Sequence, residues 1–593
     1  MHFSLTIPLL CALPFTLAAC GGAGPTTPSP TPAPTALPTP APVNYAPVIS
    51  AWQTKLQQFL SAQQLAGLSI AVVDGDHVVW AQGLGVADLA SGQPATADTL
   101  FRVGSISKLF TATAVMQLVE QQQWQLEQSL PSLLPGFSVH SRFAANASAA
   151  QQSVTLRRVL SHHAGLPEVV VACLQQYDAA LTRCSQGVEL AHRPGEQYAY
   201  SNYGVDLLGA ALAQHYRQPF TELIRSQVLL PLGMRQSSFA PASAPFNRYA
   251  QAHAGRQAVG YQNDYDHMPA GGLWSSANEM SRFLRFAVNG GQLEGQQVLQ
   301  RASLQQMWQA QNPDTPLDLD CQTGLGWFAN ECGAPKLGDG WRVVQHGGST
   351  KLFNAELSVQ PEHKLGVFIA VNGDDQDQLS QLARDLLADL LKQKTGQAVK
   401  KTTLPAAQIT QPSAAELQRY AGWYYLHSID LPAAALQLKV QQGQLLAQSA
   451  DPTAPAIPLQ RDQNGWYRLQ GVSDARIQLQ TLAGREMLVA QTSDGRALHS
   501  ERLKAQPLSA AWQQRIATPL QVGDLTLSWE VLDGLLLLLA NDQPLYIIEP
   551  LDDQTAVVAG QGRGRGDVLR FTDTGVLYQG LGIENVRLIK DTH

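Results

Sequence analysis

The sequence predicts an α/β domain, with an antiparallel sheet flanked by helices and a helical lobe inserted in it, followed by an all-β barrel domain. Three observations lead there. Two apolar runs meet about Asp74-Gly75-Asp76 in LSIAVVDGDHVVWAQGLG, which is a hairpin signal. Strand-like runs return near residue 341, in WRVVQHGG, FNAELSVQ and LGVFIAVN, with helical segments dominating between. From about residue 404 short apolar runs alternate with turn residues at regular spacing, the texture of a barrel or sandwich.

The chain has 593 residues, too many for one ordinary core, so several domains are expected. Its formal charge is −7 and its basic residues form no stripe, which excludes nucleic acid as an expected partner. Residues 1–19 read as a secretory signal. Its end, Leu17-Ala18-Ala19-Cys20, resembles the lipobox of bacterial lipoproteins. That resemblance implies a lipid on Cys20, attachment to a membrane and a periplasm-facing position in the cell envelope, with Gly21 leaning toward the outer membrane. Residues 20–45 are rich in Pro, Thr, Ala and Gly and carry no charge. Such a segment favours extended polyproline II and reads as a tether.

The first domain is expected over 46–400. PVISAWQTKLQQFLSAQQLAG has helical periodicity. LFTATAVMQLVEQQQW and GVDLLGAALAQHYRQPFTELIRSQVL belong to the helical lobe, and DQLSQLARDLLADLLKQK is an amphipathic helix stopped by Gly396. The second domain is expected over 404–593 as one β-barrel. Leu535 to Leu539 is too short to span a membrane and reads as a buried strand. Gly562 to Gly566, GRGRG, has no helix after it and reads as a strand-connecting turn.

The chemistry starts at FRVGSISKLFTA. Ser105 and Lys108 are three residues apart, so on a helix they share a face. A serine hydroxyl needs a base before it attacks, and a lysine amine in reach can supply one. A helix N-terminus adds free N–H groups. Helix capping by Ser105 or Ser107 is the plainer alternative. A second element, RPGEQYAYSNYG, carries Tyr200 and Asn202, a phenol able to share a proton and an amide able to bind a carbonyl. A third, VVQHGGSTKLF, places His346, Gly347, Gly348 and Ser349 at the end of an apolar strand. Two glycines let a substrate backbone lie along the strand, and the Ser349 amide pairs with that of Ser105 as an expected oxyanion hole.

In this order and at these separations, S-x-x-K, Y-x-N and H-G-G resemble the penicillin-recognising serine hydrolases. That group includes class C β-lactamases, serine D-Ala-D-Ala carboxypeptidases, D-aminopeptidases and related esterases. LSHHAGLP and PAGGLWSSANEM resemble the same family, and the likeness runs over residues 46–396. It implies Ser105 as acylated nucleophile, Lys108 and Tyr200 sharing acid–base work, and Asn202 and His346 orienting substrate. It implies amide or ester hydrolysis, with peptides or D-amino-acid derivatives first, and esterase or weak β-lactamase activity as alternatives. No metal and no organic cofactor are expected. A non-catalytic protein that binds peptidoglycan fragments is the alternative of another class. The C-terminal region resembles the lipocalin-like modules of D-aminopeptidase relatives, and one of its loops is expected to narrow the substrate entrance.

Two further readings complete the expectations. Lys394-Thr395-Gly396 is a literal K-T-G, but it ends a helix and is rejected as a site element. His162 and His163 are expected to be structural, and NDYDH at Asn263 to His267 a polar loop. Cys173 with Cys184, and Cys321 with Cys332, are expected to close two short disulfide loops; four buried thiols are the alternative.

Overall fold

The computed structural model describes residues 43–168, 186–239, 248–255, 257–260, 268–330, 336–338, 340–350, 352–373, 376–400, 402–427, 434–449, 454–470, 474–522, 525–562, 564–572 and 575–579. Cys20, Cys173, Cys184, Cys332 and the NDYDH segment lie outside them. Cys321 is described and is disulfide-bonded, but the pairing expected for it rests on Cys332, outside the described residues. Among the described residues no helix is long and apolar enough to cross a membrane.

The N-terminal domain is built on an eight-stranded antiparallel sheet. Its strands are β1 (Gly67–Asp74), β2 (His77–Asp88), β3 (Gln93–Pro94), β4 (Gln322–Thr323), β5 (Phe328–Asn330), β6 (Val344–Thr350), β7 (Phe353–Gln360) and β8 (Leu365–Val371). Their order is β4-β5-β6-β7-β8-β1-β2-β3, so the chain ends of the domain meet at the β8–β1 pair, with Leu68 opposite Val371 and Asp74 opposite Leu365. The central strands are buried on both faces, which explains why LSIAVV and LGVFIAV read as continuous apolar runs rather than alternating ones.

Helices α1 (Ala46–Ala62) and α5 (Gln376–Thr395) cover one face. They are tied together where Trp52 Nε1 donates to Asp389 Oδ2 at 2.9 Å. On the other face lie α2 (Ser107–Glu120), α3 (Asn202–Tyr216) and α4 (Ala277–Val288), in a core that takes Ala71, Val73, Leu357, Val359 and Phe368 from the sheet. Helix α2 is buried on all sides from Ser107 to Met116, so it carries no amphipathic stripe. Helix α5 stops as expected: Gly396 takes φ +73 and its N–H returns to Lys392 O at 2.8 Å. Lys394 is bonded to Asp74 and to His363 O.

The C-terminal β region divides into two modules rather than the single barrel expected. Helix α6 (Ala414–Tyr420) leads into eight antiparallel strands between Gly422 and Arg502, and Gly422–His427 pairs with both Ala434–Gln441 and Gly495–Arg502, closing a barrel. Leu417 and Tyr420 of α6 sit in its core with Tyr424, Tyr467 and Leu488. Helix α7 (Ala510–Ile516) then precedes a seven-stranded antiparallel sheet running from Leu520 to Gln579, with Trp512 in its core. Leu535–Ala540 is a strand of this sheet, buried as predicted. Short local strands with similar turn chemistry fill both modules, so texture alone carried no signal for the break. The barrel is joined to the N-terminal domain by polar contacts. Arg496 pairs with Asp320 at 2.8 Å, and Arg485 Nη1 donates to Gln197 Oε1 at 2.8 Å.

Candidate active site

The site forms where the start of α2, the start of α3 and the edge of β6 converge. Gly104–Ile106 is a 3₁₀ turn leading into α2, so Ser105 lies just before the α-helix rather than within it. Gly104 holds φ +52, a left-handed conformation that glycine adopts without strain. A Cβ there would come within 2.7 Å of Ser349 N, and one on Gly348 would lie 2.0 Å from Val103 O and 3.1 Å from Ser105 N. These two glycines let β6 press directly on the turn. Ser107 Oγ donates to Gly104 O at 2.6 Å and accepts from Leu273 N at 3.0 Å, which fixes the turn from below.

Strand β6 pairs with β7 along its whole length, but with β5 only where Gln345 faces Phe328. From His346 onward its outer edge is therefore turned toward Ser105 rather than toward another strand. That is the edge expected for a substrate backbone.

Three polar groups converge at the nucleophile candidate. Lys108 Nζ donates to Ser105 Oγ at 3.0 Å, and Tyr200 Oη donates to the same oxygen at 2.8 Å. Lys108 is 1% exposed, and its ammonium also donates to Asn202 Oδ1 and Ala270 O, each at 2.7 Å. These three acceptors match the three donors of an ammonium. The same Nζ lies 4.8 Å from the centre of the Tyr200 ring. Ser201, rather than Asn202, caps α3, accepting from Gly204 N at 2.9 Å and donating to Pro167 O at 2.6 Å. That leaves the Asn202 amide for Lys108.

His162 and His163 serve as supports, as expected. The His162 ring lies against Tyr200 with centres 4.5 Å apart, and its Nδ1 accepts from Ser201 N at 3.1 Å. His163 meets Asp318 Oδ2 at 2.7 Å, while Asp318 Oδ1 accepts from Tyr198 N at 2.6 Å. Asp318 thereby locks the LSHH segment to the extended segment that delivers Tyr200. The sequence offered no signal for Asp318, and only the PAGGLW text pointed toward Ala270.

His346 lines the cleft, 2% exposed. Its pKa is pushed down to about 3 by burial and by the Lys108 cation. Its Nδ1 lies 2.6 Å from the Gly347 carbonyl, which can only accept, so Nδ1 carries the hydrogen and Nε2 presents a lone pair. The expectation that this histidine is mostly neutral near pH 7 thus has a firm physical basis.

The cleft has a volume of about 400 Å³ and reaches from Ser105, Tyr200, Asn202, His346, Gly347 and Ser349 to the C-terminal region. Leu426, Ala497 and Leu498 of the barrel line it, as do Gln561, Gly562, Gly564, Arg565 and Asp567. Of the GRGRG segment, Gly564 to Gly566 form a turn between strands, as read, but Gly562, Gly564 and Arg565 also form a wall of the cleft, which the sequence reading did not foresee. Among the described residues no group of three or more His, Cys, Asp or Glu side chains is placed to hold a metal ion.

Comparison with known proteins agrees with this architecture. The β-lactamase family model matches residues 52–392. Penicillin-binding protein 4 of Amycolatopsis lactamdurans is 28% identical over 389 residues, covering 63% of this chain and 96% of that protein. Protein flp of Staphylococcus aureus strain COL is 23% identical over 338 residues, covering 54% of this chain and 62% of its own length. Among solved structures, the octameric penicillin-binding protein homologue from Pyrococcus abyssi superposes with a TM-score of 0.51 at 20% identity, over 75% of this chain and 96% of that one. SurE gives a TM-score of 0.55 at 20% identity, over 77% and 99%. Those structures share the fold. With the family model spanning more than half its length, the chain belongs to the β-lactamase family of serine-hydrolase-like proteins.

Proposed function

We propose that this protein is a cell-envelope serine hydrolase that cleaves amide or ester bonds through an acyl-enzyme on Ser105, acting on peptides or D-amino-acid derivatives. The observation that carries the reading is the convergence of Lys108 Nζ and Tyr200 Oη on one hydroxyl, 3.0 and 2.8 Å away, at the wall of an open cleft. A protein that only bound fragments would have no use for an activated hydroxyl.

The reaction we propose uses that geometry. A substrate carbonyl lies along the free edge of β6, with its oxygen toward the Ser105 and Ser349 amides. The Lys108–Tyr200 pair first loses one proton to solvent, leaving an ammonium and a phenolate; Ser105 Oγ then attacks the carbonyl carbon while its own proton passes to the Tyr200 phenolate oxygen. Lys108, held as an ammonium by Asn202 and Ala270, stabilises negative charge on the phenol oxygen before transfer. The tetrahedral oxyanion is held by the two backbone N–H groups. Collapse breaks the bond to the leaving amine or alcohol, which takes the proton back from Tyr200. Water then attacks the Ser105 ester by the same route in reverse, releasing the acid.

His346 narrows the substrate choice. A neutral imidazole offering a lone pair does not attract the carboxylate of a β-lactam, which argues against antibiotic destruction as the main activity. For the whole protein, the Cys20 lipobox and the 20–45 tether support attachment to a membrane, facing the periplasm, and Gly21 favours the outer one. Mass spectrometry of the mature N-terminus tests that part: a diacylglyceryl mass on Cys20 is expected, and an unmodified N-terminus refutes it.

The central test is labelling with a fluorophosphonate, followed by peptide mapping. The adduct is expected on Ser105 and absent in Ser105→Ala. No adduct, or one elsewhere, overturns the assignment. Relative kcat/KM on D-amino-acid amides, p-nitrophenyl esters and a chromogenic cephalosporin then ranks the substrate classes, with the cephalosporin expected last.

A further inference from the structure

Residues 198–200 belong to no helix or strand, so the place of the Tyr200 phenol depends on what ties that segment down. Ala199 N–H donates to His162 O at 2.8 Å, and Tyr198 N–H donates to Asp318 Oδ1 at 2.6 Å. His163 meets the other oxygen of Asp318 at 2.7 Å. Asp318 is thus the tie that comes from outside the LSHH segment, and its own position bears on that of Tyr200.

Asp318 begins a tight turn. Its N–H donates to Thr315 O at 3.1 Å, and the N–H of Cys321, a disulfide-bonded residue, donates to Asp318 O at 2.8 Å. Inside this turn Asp320 is clasped by the barrel. Arg496 N–H donates to Asp320 Oδ2 and Arg496 Nη2 to Asp320 Oδ1, each at 2.8 Å, while Asp320 N–H returns to Arg496 O at 3.3 Å. Gly495 lets the barrel hairpin come this close: its φ is +124, and a Cβ there would lie 3.2 Å from Asp320 Oδ2.

The barrel also grips the other side of the same contact. Arg485 Nη1 donates to Oε1 of Gln197, the residue before Tyr198, at 2.8 Å. Gln197 is buried, and Arg485 is anchored within the barrel by two bonds of 2.7 Å to Glu501. The barrel therefore holds both segments that meet where Tyr198 bonds to Asp318. Arg485, Gln197, Asp320 and Arg496 do not line the cleft, so they reach the reaction by placing Tyr200 and not by touching substrate. The Arg496–Asp320 pair is largely solvated, with side chains 44% and 32% exposed. Such a pair adds little to stability, so a role in geometry can be read apart from one in folding.

We infer that Arg496, through its clasp on Asp320, is a positioning residue for Tyr200: the barrel sets the turn whose Asp318 holds the Tyr200 segment against Ser105. The inference rests on the serine-hydrolase reading and deepens it, since the barrel then takes part in assembling the reactive groups as well as walling the cleft. Loosening the clasp lets the 318–321 turn shift, and the phenol leaves the short contact with Ser105 on which proton transfer depends.

The experiment uses the full chain and measures kcat and KM on p-nitrophenyl acetate, the rate of fluorophosphonate labelling of Ser105, and the melting temperature, in Asp320→Ala and Arg496→Ala. Both kcat and labelling rate are expected to fall by roughly tenfold, for a shift smaller than the 1 Å that costs about 100-fold. KM should stay within about twofold, and melting should stay near that of the wild type. The double variant should be no slower than Asp320→Ala, because the two side chains form one clasp. In a Tyr200→Phe background, Arg496→Ala should change the labelling rate by less than about twofold, since the group it positions is gone. Should Asp320→Ala not fold, Arg496→Ala, which trims an exposed side chain, carries the same test. Wild-type kcat in a normally melting variant, a raised KM at unchanged kcat, or an undiminished further fall in the Tyr200→Phe background overturns the inference while leaving Ser105 as nucleophile. A wild-type protein that does not label at Ser105 overturns the hydrolase reading instead.

Discussion

Replacing Gly348 with alanine is the sharpest test of how the site is assembled. The new Cβ would lie 2.0 Å from Val103 O, whereas real Cβ contacts essentially never fall under 3.0 Å. The strand or the turn must therefore move by at least 3.0 − 2.0 = 1.0 Å. Both contacting atoms are backbone, so no side chain can swing aside. Site geometry tolerates displacement of only about 0.5 Å. A 1 Å error costs roughly 100-fold, and loss of one oxyanion donor about 3–4 kcal/mol. The expected result is a fall in kcat of about 100- to 1,000-fold on a p-nitrophenyl ester, with overpacking costing about 1–3 kcal/mol of stability. Gly396→Ala is the control. Nothing lies within 4 Å of a Cβ there, but φ is +73, so it should lower stability by about 1 kcal/mol and leave kcat alone. Steady-state kinetics and thermal melts on both variants decide it. A folded Gly348→Ala protein with wild-type kcat would refute the claim that β6 and the Ser105 turn jointly form the oxyanion site.

Other perturbations separate the remaining roles. Tyr200→Phe keeps the ring against His162 but removes the oxygen 2.8 Å from Ser105; kcat should fall by about 100- to 10,000-fold with little change in melting temperature. An unchanged kcat would remove Tyr200 from proton transfer. The His346 imidazole has a pKa of about 3 folded and 6.5 unfolded, so between those values the unfolded chain binds the extra proton. Its contribution to stability is complete above pH 6.5 and is lost as pH falls toward 3, with a slope of at most about 1.4 kcal/mol per pH unit. His346→Asn should flatten urea-derived stability over that window, and an unchanged slope would contradict the buried neutral assignment. Ala497 is a barrel residue on the cleft wall. Ala497→Phe should raise KM for peptide substrates more than for p-nitrophenyl acetate, and equal effects on both would deny the barrel a part in selection.

Much of the site was readable because its chemistry sits in short local texts. Ser105 and Lys108 are three residues apart, and any helical turn brings them to one side. Gly347 and Gly348 announce close backbone approach by lacking side chains, but the expected neighbour was a substrate, whereas at Gly348 it is the backbone of the Ser105 turn. The rejection of Lys394-Thr395-Gly396 was equally local, since periodicity placed it at the end of a helix. Asp318 was not readable. It acts by joining Tyr198 to His163, and its sequence neighbours say nothing of either partner. The GRGRG turn was half readable: its glycines implied a turn, but its contact with the cleft depends on how the second β module is seated.

By itself, then, the sequence determined the local elements and the reactive side chains, since these depend on periodicity and residue chemistry within a few neighbours. Tertiary structure alone decided what meets what. It brought Asn202 to Lys108 across 94 residues and Tyr200 to Ser105 across 95. It split the C-terminal strands into a closed barrel and a second sheet, and it set Asp567 into the wall of a cleft whose candidate nucleophile, Ser105, belongs to another domain. Burial, and with it the neutral state of His346, exists only once those distant segments have packed, because the low-dielectric surroundings are made by the fold and not by the residue.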